Sequence, residues 1–483
     1  MPGNFETISP GNSLIKRAAQ TVPLMILALL AAAIIYYKER MLFIDAPHVF
    51  FRVINDGQLH LEEHRFGSFI TQIVPLLGAK LHLPFKFLIV LYSASFYLFY
   101  LSAALLLVYA FRNYRLAILF GLYLTLLVSD TYYWPNNEVH QGIAWLMIAF
   151  AGSFCLAEKK KPVIFTIIVF AASFYLAIWT HPLVMLVAVY LWFFMWLSGC
   201  SWPFTRWQSA LFTIILLALS YLKFHQGNLH GYDATKIEVM TNFKLQNIKM
   251  VFGSPMLQYF LKTCISNYWL FTLLFMAGLI ALLKEKKYLL FVFTAITATG
   301  YLLLICIEFR DVSSNRFYIE SEYMPIAIIA CAPFVYFLLP KINPKAAVGV
   351  LVAVFVVRLC YICSAAAPFS DRVAILNSIN AKMKEKNLTK VIIPEPVRGV
   401  DSALILNWGA PVESIILSKL KGENPQRTFI FLEPNLFFLA KNMGTDTMLG
   451  CWEKRPKGKI NGYYFQPDTT VPYSIVSYEE LMK

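Results

Sequence analysis

The sequence predicts an α-helical multi-pass membrane protein with about eleven transmembrane helices and a small C-terminal α/β domain. Three observations carry that prediction. The 483 residues are 58% apolar and only 14% charged, where soluble chains run at roughly 45–50% and about 25%. Mean hydropathy is +0.59. Uncharged apolar stretches long enough to cross a bilayer recur along the chain. This composition excludes intrinsic disorder, which needs low hydrophobicity and high net charge. It also argues against a soluble multidomain enzyme. The net charge of +14 is not gathered into a binding module, so no nucleic-acid partner is expected. In a membrane protein a basic excess usually marks cytoplasmic loops. The eight cysteines are read as small buried hydrophobes, the Cys360-x-x-Cys363 pair included.

The spans are expected at 20–37, 86–109, 114–131, 139–157, 162–179, 183–199, 207–222, 266–283, 288–306, 323–340 and 346–364. The first follows Lys16 and Arg17 and is long enough to remain as an uncleaved anchor. The excess of Lys and Arg on the cytoplasmic side sets the orientation. With the N-terminus in the cytoplasm, the cytoplasmic turns carry Arg112, Arg115, Lys159-Lys160-Lys161, Arg206, Lys284, Lys286, Lys287, Lys341 and Lys345. The short opposite turns carry only Arg310 and Arg316. An odd number of spans then puts the C-terminus outside. The compact loops suggest a bacterial inner membrane.

The chain divides into a transmembrane domain, 1–364, and an extracytoplasmic α/β domain, 365–483. Residues 371–387 have helical spacing, with Val373, Ile375, Leu376 and Ile379 on one side. Lys390–Pro394 and Arg427–Leu432 read as short buried strands. Loops 38–85 and 223–265 and the tail are the three large polar segments, and all fall on the outer face. Such one-sided investment points to function on that face.

Loop 38–85 holds the leading candidates. Asp45 stands a few residues beyond the first span, at the level of lipid headgroups. A carboxylate there has the chemistry of a general base toward an acceptor hydroxyl or amine. The competing expectation is a helix cap, since Ala46-Pro47 opens a helix. Glu62-Glu63-His64-Arg65 follows, with His60 and His64 four apart so that a helix would align them beside Glu63. That spacing allows a divalent metal, but the stretch is read as a solvated charged turn, and no cofactor is assigned. Phe66 to Leu83, broken by Pro75 and Gly78, is expected to lie in the interface. In the turn Asp130–Glu138 the aromatics, Trp134 among them, can stack on a sugar and the amides of Asn136 and Asn137 can bond its hydroxyls, although Trp and Tyr also mark membrane interfaces. Trp179-Thr180-His181-Pro182 breaks the bilayer between two spans, as a cavity lining or a tight turn. Arg316 and Tyr318 open the tenth span, and Arg316 suits a phosphate because its planar fork donates two bonds at once. Arg358 lies inside an apolar run, where it must snorkel, pair or face a polar cavity.

This layout resembles the GT-C superfamily of membrane glycosyltransferases, which use polyprenyl-phosphate-linked sugars. The features that carry the resemblance are Asp45 after the first span, the stretch His64-Arg65-Phe66 to Leu83, the pair Arg316-Phe317 opening a late span, and a soluble outer domain. The Pro that usually follows the basic residue is missing, and no second acid adjoins Asp45, unlike the paired-acid, metal-binding versions. The resemblance implies sugar transfer from a polyprenyl-phosphate donor to an extracytoplasmic glycan, lipid or protein acceptor. Asp45 would be the base, with Arg316 on the lipid phosphate. Arg65, His64, Tyr318, Arg358, Trp134 and Glu138 complete the expected substrate site. The alternative expectation is a transporter or a non-catalytic assembly subunit. Transporters place polar groups on broken mid-membrane helices in repeated halves, and no such repeat is visible here.

Overall fold

A computed structural model describes residues 10–200, 202–229, 234, 238–239, 242–244, 248–309, 316–395, 397, 406–438, 444–450 and 453–483. Most of loop 227–247 and Ser314-Asn315 lie outside the described residues.

Long apolar runs become helices, because only internal hydrogen bonding satisfies a backbone surrounded by lipid. Seven helices are long and apolar enough to cross a membrane, or up to nine if each bent pair is one span. The seven are Ile15–Ile35, Phe85–Ala110, Glu138–Glu158, Val163–Thr180, Arg206–Gln226, Tyr288–Glu308 and Pro344–Glu385. The bent pairs are Ile248–Ser266 with Trp269–Lys284, at 88°, and Phe317–Tyr323 with Ile326–Lys341, at 45°. Tyr114–Leu126 and Leu183–Ser198 are shorter apolar helices. The helix Glu138–Glu158 lies at the centre of the bundle, with 83% of its apolar window buried, whereas Arg206–Gln226 is peripheral at 22%. Cys360 and Cys363 are exposed on the surface of their helix rather than buried.

The segment between the first two membrane helices folds into short helices, Tyr37–Met41, Asp45–Asp56 and Phe69–Lys80, with Pro75 inside the last. The final apolar helix, Pro344–Ser364, is followed directly by Ala367–Glu385, which carries the chain into the C-terminal unit. Strands β1 (Lys390–Pro394), β2 (Thr428–Leu432) and β5 (Ser474–Ile475) form a parallel sheet in the order β2-β1-β5. Val391 pairs with Phe429 on one side and Ser474 on the other. The helix Ala410–Leu420 packs on β2, and β3 (Thr447–Leu449) pairs antiparallel with β4 (Lys454–Pro456). The tail is therefore an α/β unit, as its alternating composition suggested.

This unit is docked on the first polar segment. Arg52 bonds Glu453 at 2.7 Å and Asp56 at 3.1 Å, while Arg455 bonds Asp56 at 2.8 Å and Glu453 at 2.6 Å. The result is a closed ring of alternating charge. Asn461 donates to Asn55 and Ile54, and the Tyr464 hydroxyl to the Ala79 and Leu83 carbonyls. The C-terminal unit and segment 38–85 thus share one side of the bundle. Burial alone would raise the Asp56 and Glu453 carboxyls, but hydrogen bonds from Arg455, joined by Asn55 at Asp56 and by Arg52 at Glu453, hold both below the usual range. Carboxyls depressed on folding stabilise above their unfolded pKa of about 4, and that contribution is lost as pH falls through the folded values. Docking is therefore expected to loosen below about pH 4. Limited proteolysis should cut residues 444–483 faster there, and Arg455→Met should give that rate already at neutral pH.

Candidate functional site

Asp45 is the first residue of its helix, and Ile44 occupies the capping position with φ 44° and ψ −101°. That left-handed φ is unusual for a β-branched residue. It is held in place by the Ile44 amide, which donates to Glu413 of the C-terminal unit at 3.0 Å. Asp45 is therefore not the capping residue. It instead accepts from the Trp134 indole nitrogen at 2.6 Å, across 89 residues of chain. The turn containing Trp134 therefore brings one end of a bundle helix to the segment between the first two membrane helices.

Other expected residues collect around this pair. Arg65 and Glu138 form an ion pair at 2.7 Å. The Trp134 ring meets Phe317 edge-on at 5.0 Å and lies 5.9 Å from Tyr318. Asn136, two residues beyond Trp134, donates to the Tyr92 hydroxyl at 3.0 Å. Burial pushes the Asp45 carboxyl up to about 7, against the Trp134 hydrogen bond, with the Glu138 and Glu62 charges raising it further and Arg65 opposing them. Burial is the dominant cause, and it holds the carboxyl well above the usual carboxylate range.

Arg65 is positioned by close packing. Phe66–Ser68 form a single 3-10 turn against the end of the helix Val163–Thr180. A Cβ on Gly67 would meet the Leu176 carbonyl oxygen at 2.7 Å and collide with the Thr180 hydroxyl. Only glycine allows that approach. The Gly67 carbonyl also accepts from Trp145 at 3.1 Å. At the end of that helix His181 is extended, and its Nδ1 accepts from the Leu183 amide at 3.3 Å, so it opens the next helix.

The stretch around His64 departs from expectation. Residues 57–65 are not helical, and Glu63 and His64 have positive φ values of 48° and 56°. His60 and His64 therefore do not share a helix face, and His64 is exposed beside Phe66. His60 instead meets Glu62 at 2.8 Å, with His48 3.8 Å from the same oxygen. Among the described residues, His48, His60 and Glu62 form a group able to hold a metal ion, their donor atoms all within 4.8 Å of one another. His48 lies on the helix Asp45–Asp56, away from His60 in sequence, so residue spacing carries no signal for this group.

Arg316 begins the helix Arg316–Tyr323, and its side chain lies outside those described. Arg358 belongs to another network and is fully buried. Its Nε donates to the Thr125 carbonyl at 2.9 Å, Nη1 to that of Asn267 at 2.6 Å, and Nη2 to the Val128 carbonyl and the Ser129 hydroxyl. It therefore closes the end of the helix Tyr114–Leu126, where carbonyls lack partners within the helix. The Glu320 carboxylate beside it accepts from the Ser129 and Thr131 amides and the Tyr268 hydroxyl. Each guanidinium nitrogen is engaged within the protein, so the network holds the turn that presents Trp134 rather than opening to a substrate. Arg40 fastens the same turn, donating to Tyr132 and Ser93. Lysine cannot reproduce the planar fork. Arg358→Lys is thus expected to cost about 2 kcal/mol, read as a lower unfolding temperature in detergent.

No protein family, curated protein or solved structure matches this chain.

Proposed function

We propose that the chain is an integral membrane glycosyltransferase of GT-C type, with about eleven spans and a polyprenyl-phosphate sugar donor. Its acceptor is extracytoplasmic, and Asp45 is the base. The observation that carries this reading is the environment of Asp45. Its carboxyl is raised to about 7, hydrogen-bonded to Trp134 rather than used as a cap, and neighboured by the Arg65–Glu138 pair. Attack on the anomeric carbon requires proton removal from the acceptor while the lipid phosphate departs. A base with a pKa near the working pH serves the first need, and fixed cationic donors serve the second. Trp134 and Tyr318 offer apolar ring faces suited to a sugar. Arg65 and Arg316 are assigned to the phosphate.

The reading also agrees with the distribution of material in the chain. Segment 38–85, the 129–138 turn and the C-terminal unit all meet beside Asp45. The test uses purified full-length protein in vesicles containing radiolabelled polyprenyl-phosphate hexoses or pentoses, with crude envelope glycan and lipid as acceptors. Transfer of label is the expected result. Bound polyprenyl phosphate without transfer by any donor would favour a non-catalytic subunit.

A further inference from the structure

The geometry points to a binding site for a divalent transition cation of the zinc class, formed by His48, His60 and Glu62. Three ligands from two segments converge there. The Nε2 atoms of His48 and His60 lie 3.8 and 2.8 Å from one oxygen of Glu62, and the imidazole rings are 5.6 Å apart at 71°. Around a tetrahedral zinc with bonds of about 2.0–2.1 Å, neighbouring ligand atoms are separated by about 3.3 Å. The observed separations bracket that value. A shift of about 0.5 Å in the exposed Glu62 side chain brings both into range.

The two histidines are supported differently, and both supports fix position. His48 lies on the helix Asp45–Asp56, its ring edge-on to Trp408 at 6.1 Å. His60 lies in irregular chain, but its backbone is clasped on both sides. The His60 amide donates to Gln72 Oε1 at 2.8 Å, and Gln72 Nε2 donates back to the His60 carbonyl at 2.8 Å. Gln72 is buried, at 3% exposure, on the helix Phe69–Lys80. A non-helical residue fixed by a buried amide at both backbone groups is held as a ligand must be held. Two neutral imidazoles and one carboxylate suit a borderline cation, and they leave a coordination position for an oxygen ligand. His48 follows Asp45 by three residues, so both lie on one face of the same helix.

This inference stands apart from the sugar-transfer reading, because the experiment reads metal rather than product. Full-length protein purified in detergent is stripped with chelator, dialysed against zinc at neutral pH, desalted and measured by elemental mass spectrometry. Cobalt loading is followed in parallel by visible absorption. Wild type is expected to retain one zinc per chain and to develop the strong d–d bands of tetrahedral cobalt. Glu62→Gln, a substitution at an exposed side chain, and His60→Ala are expected to lose both signals. His64→Ala leaves the three ligands intact and is expected to bind as wild type does. Wild type retaining no more zinc than Glu62→Gln would overturn the site, as would His64→Ala losing as much as Glu62→Gln. Loss by His60→Ala together with an aggregated elution profile is resolved by Glu62→Gln, which decides alone.

Discussion

Asp45→Asn is expected to lower sugar transfer by roughly 100- to 10,000-fold, the range for removal of a general base, while the protein folds and binds lipid as before. Asparagine keeps an oxygen able to accept the Trp134 N–H, so the hydrogen bond at 2.6 Å has a replacement and geometry is conserved. What disappears is the capacity to take up a proton. The pH dependence follows from the carboxyl raised to about 7. The base acts when ionised, so wild-type transfer should climb with pH and reach half its plateau near 7, and the residual activity of the variant should lack that limb. Stability runs the other way. A carboxyl raised on folding stabilises the fold below its unfolded pKa of about 3.9, and this contribution is lost as pH rises through about 7. The asparagine side chain has no charge to bury. The variant should therefore unfold at the same temperature as wild type at pH 4 and at a higher one at pH 8. A catalytic carboxylate predicts lost activity with gained stability at alkaline pH. A merely structural one predicts loss of both. Equal transfer by wild type and variant would remove Asp45 from the mechanism.

Parts of this site were legible before any coordinates. Long apolar runs specify helices because lipid offers the backbone no other partner, and Asp45 stood out as a carboxylate just past one of them. Trp134, Glu138 and Arg65 were each marked on residue type. Their pairing was not legible, because it depends on how the helix Glu138–Glu158 packs against a turn 73 residues earlier in the chain. The spans expected at 266–283 and 323–340 overlap the second helix of each bent pair, whereas the helices before them, Ile248–Ser266 and Phe317–Tyr323, set at 88° and 45°, fall in stretches expected as loops. Hydropathy carries no signal for a bend. Arg358 shows a different limit. An arginine in an apolar run signals a cost that must be met, but not by what. Here it is met by carbonyls at a helix end. The spacing of His60 and His64 points to a shared face only if that stretch is helical. Residues 57–65 are not helical, and His60, clasped by Gln72, meets His48 instead.

The strongest structural dependence of the site lies far from it in sequence. Arg372 and Glu413 form an ion pair at 2.9 Å, with side-chain exposures of 2% and 0%. Glu413 also accepts the Ile44 amide at 3.0 Å. The helix Ala410–Leu420 approaches that amide closely, since a Cβ on Gly409 would come within 3.1 Å of the Ile44 Cα. Arg372→Ala leaves the Glu413 carboxylate buried without its cation, and the expected cost is about 3–5 kcal/mol, seen as a large drop in unfolding temperature. Arg372→Met combined with Glu413→Gln should recover most of that loss. Glutamine keeps an oxygen for the Ile44 amide, and neither residue then carries a buried charge. The same cycle separates position from stability. Ile44 directly precedes Asp45, and a displacement of about 1 Å at a reacting group can cost roughly 100-fold in rate. Transfer by Arg372→Ala, assayed well below its unfolding temperature, should fall with little change in the pH midpoint, and the double variant should regain it. An unchanged unfolding temperature in Arg372→Ala would mean that Glu413 takes up a proton or water at no cost. The C-terminal unit would then play no part in holding Asp45.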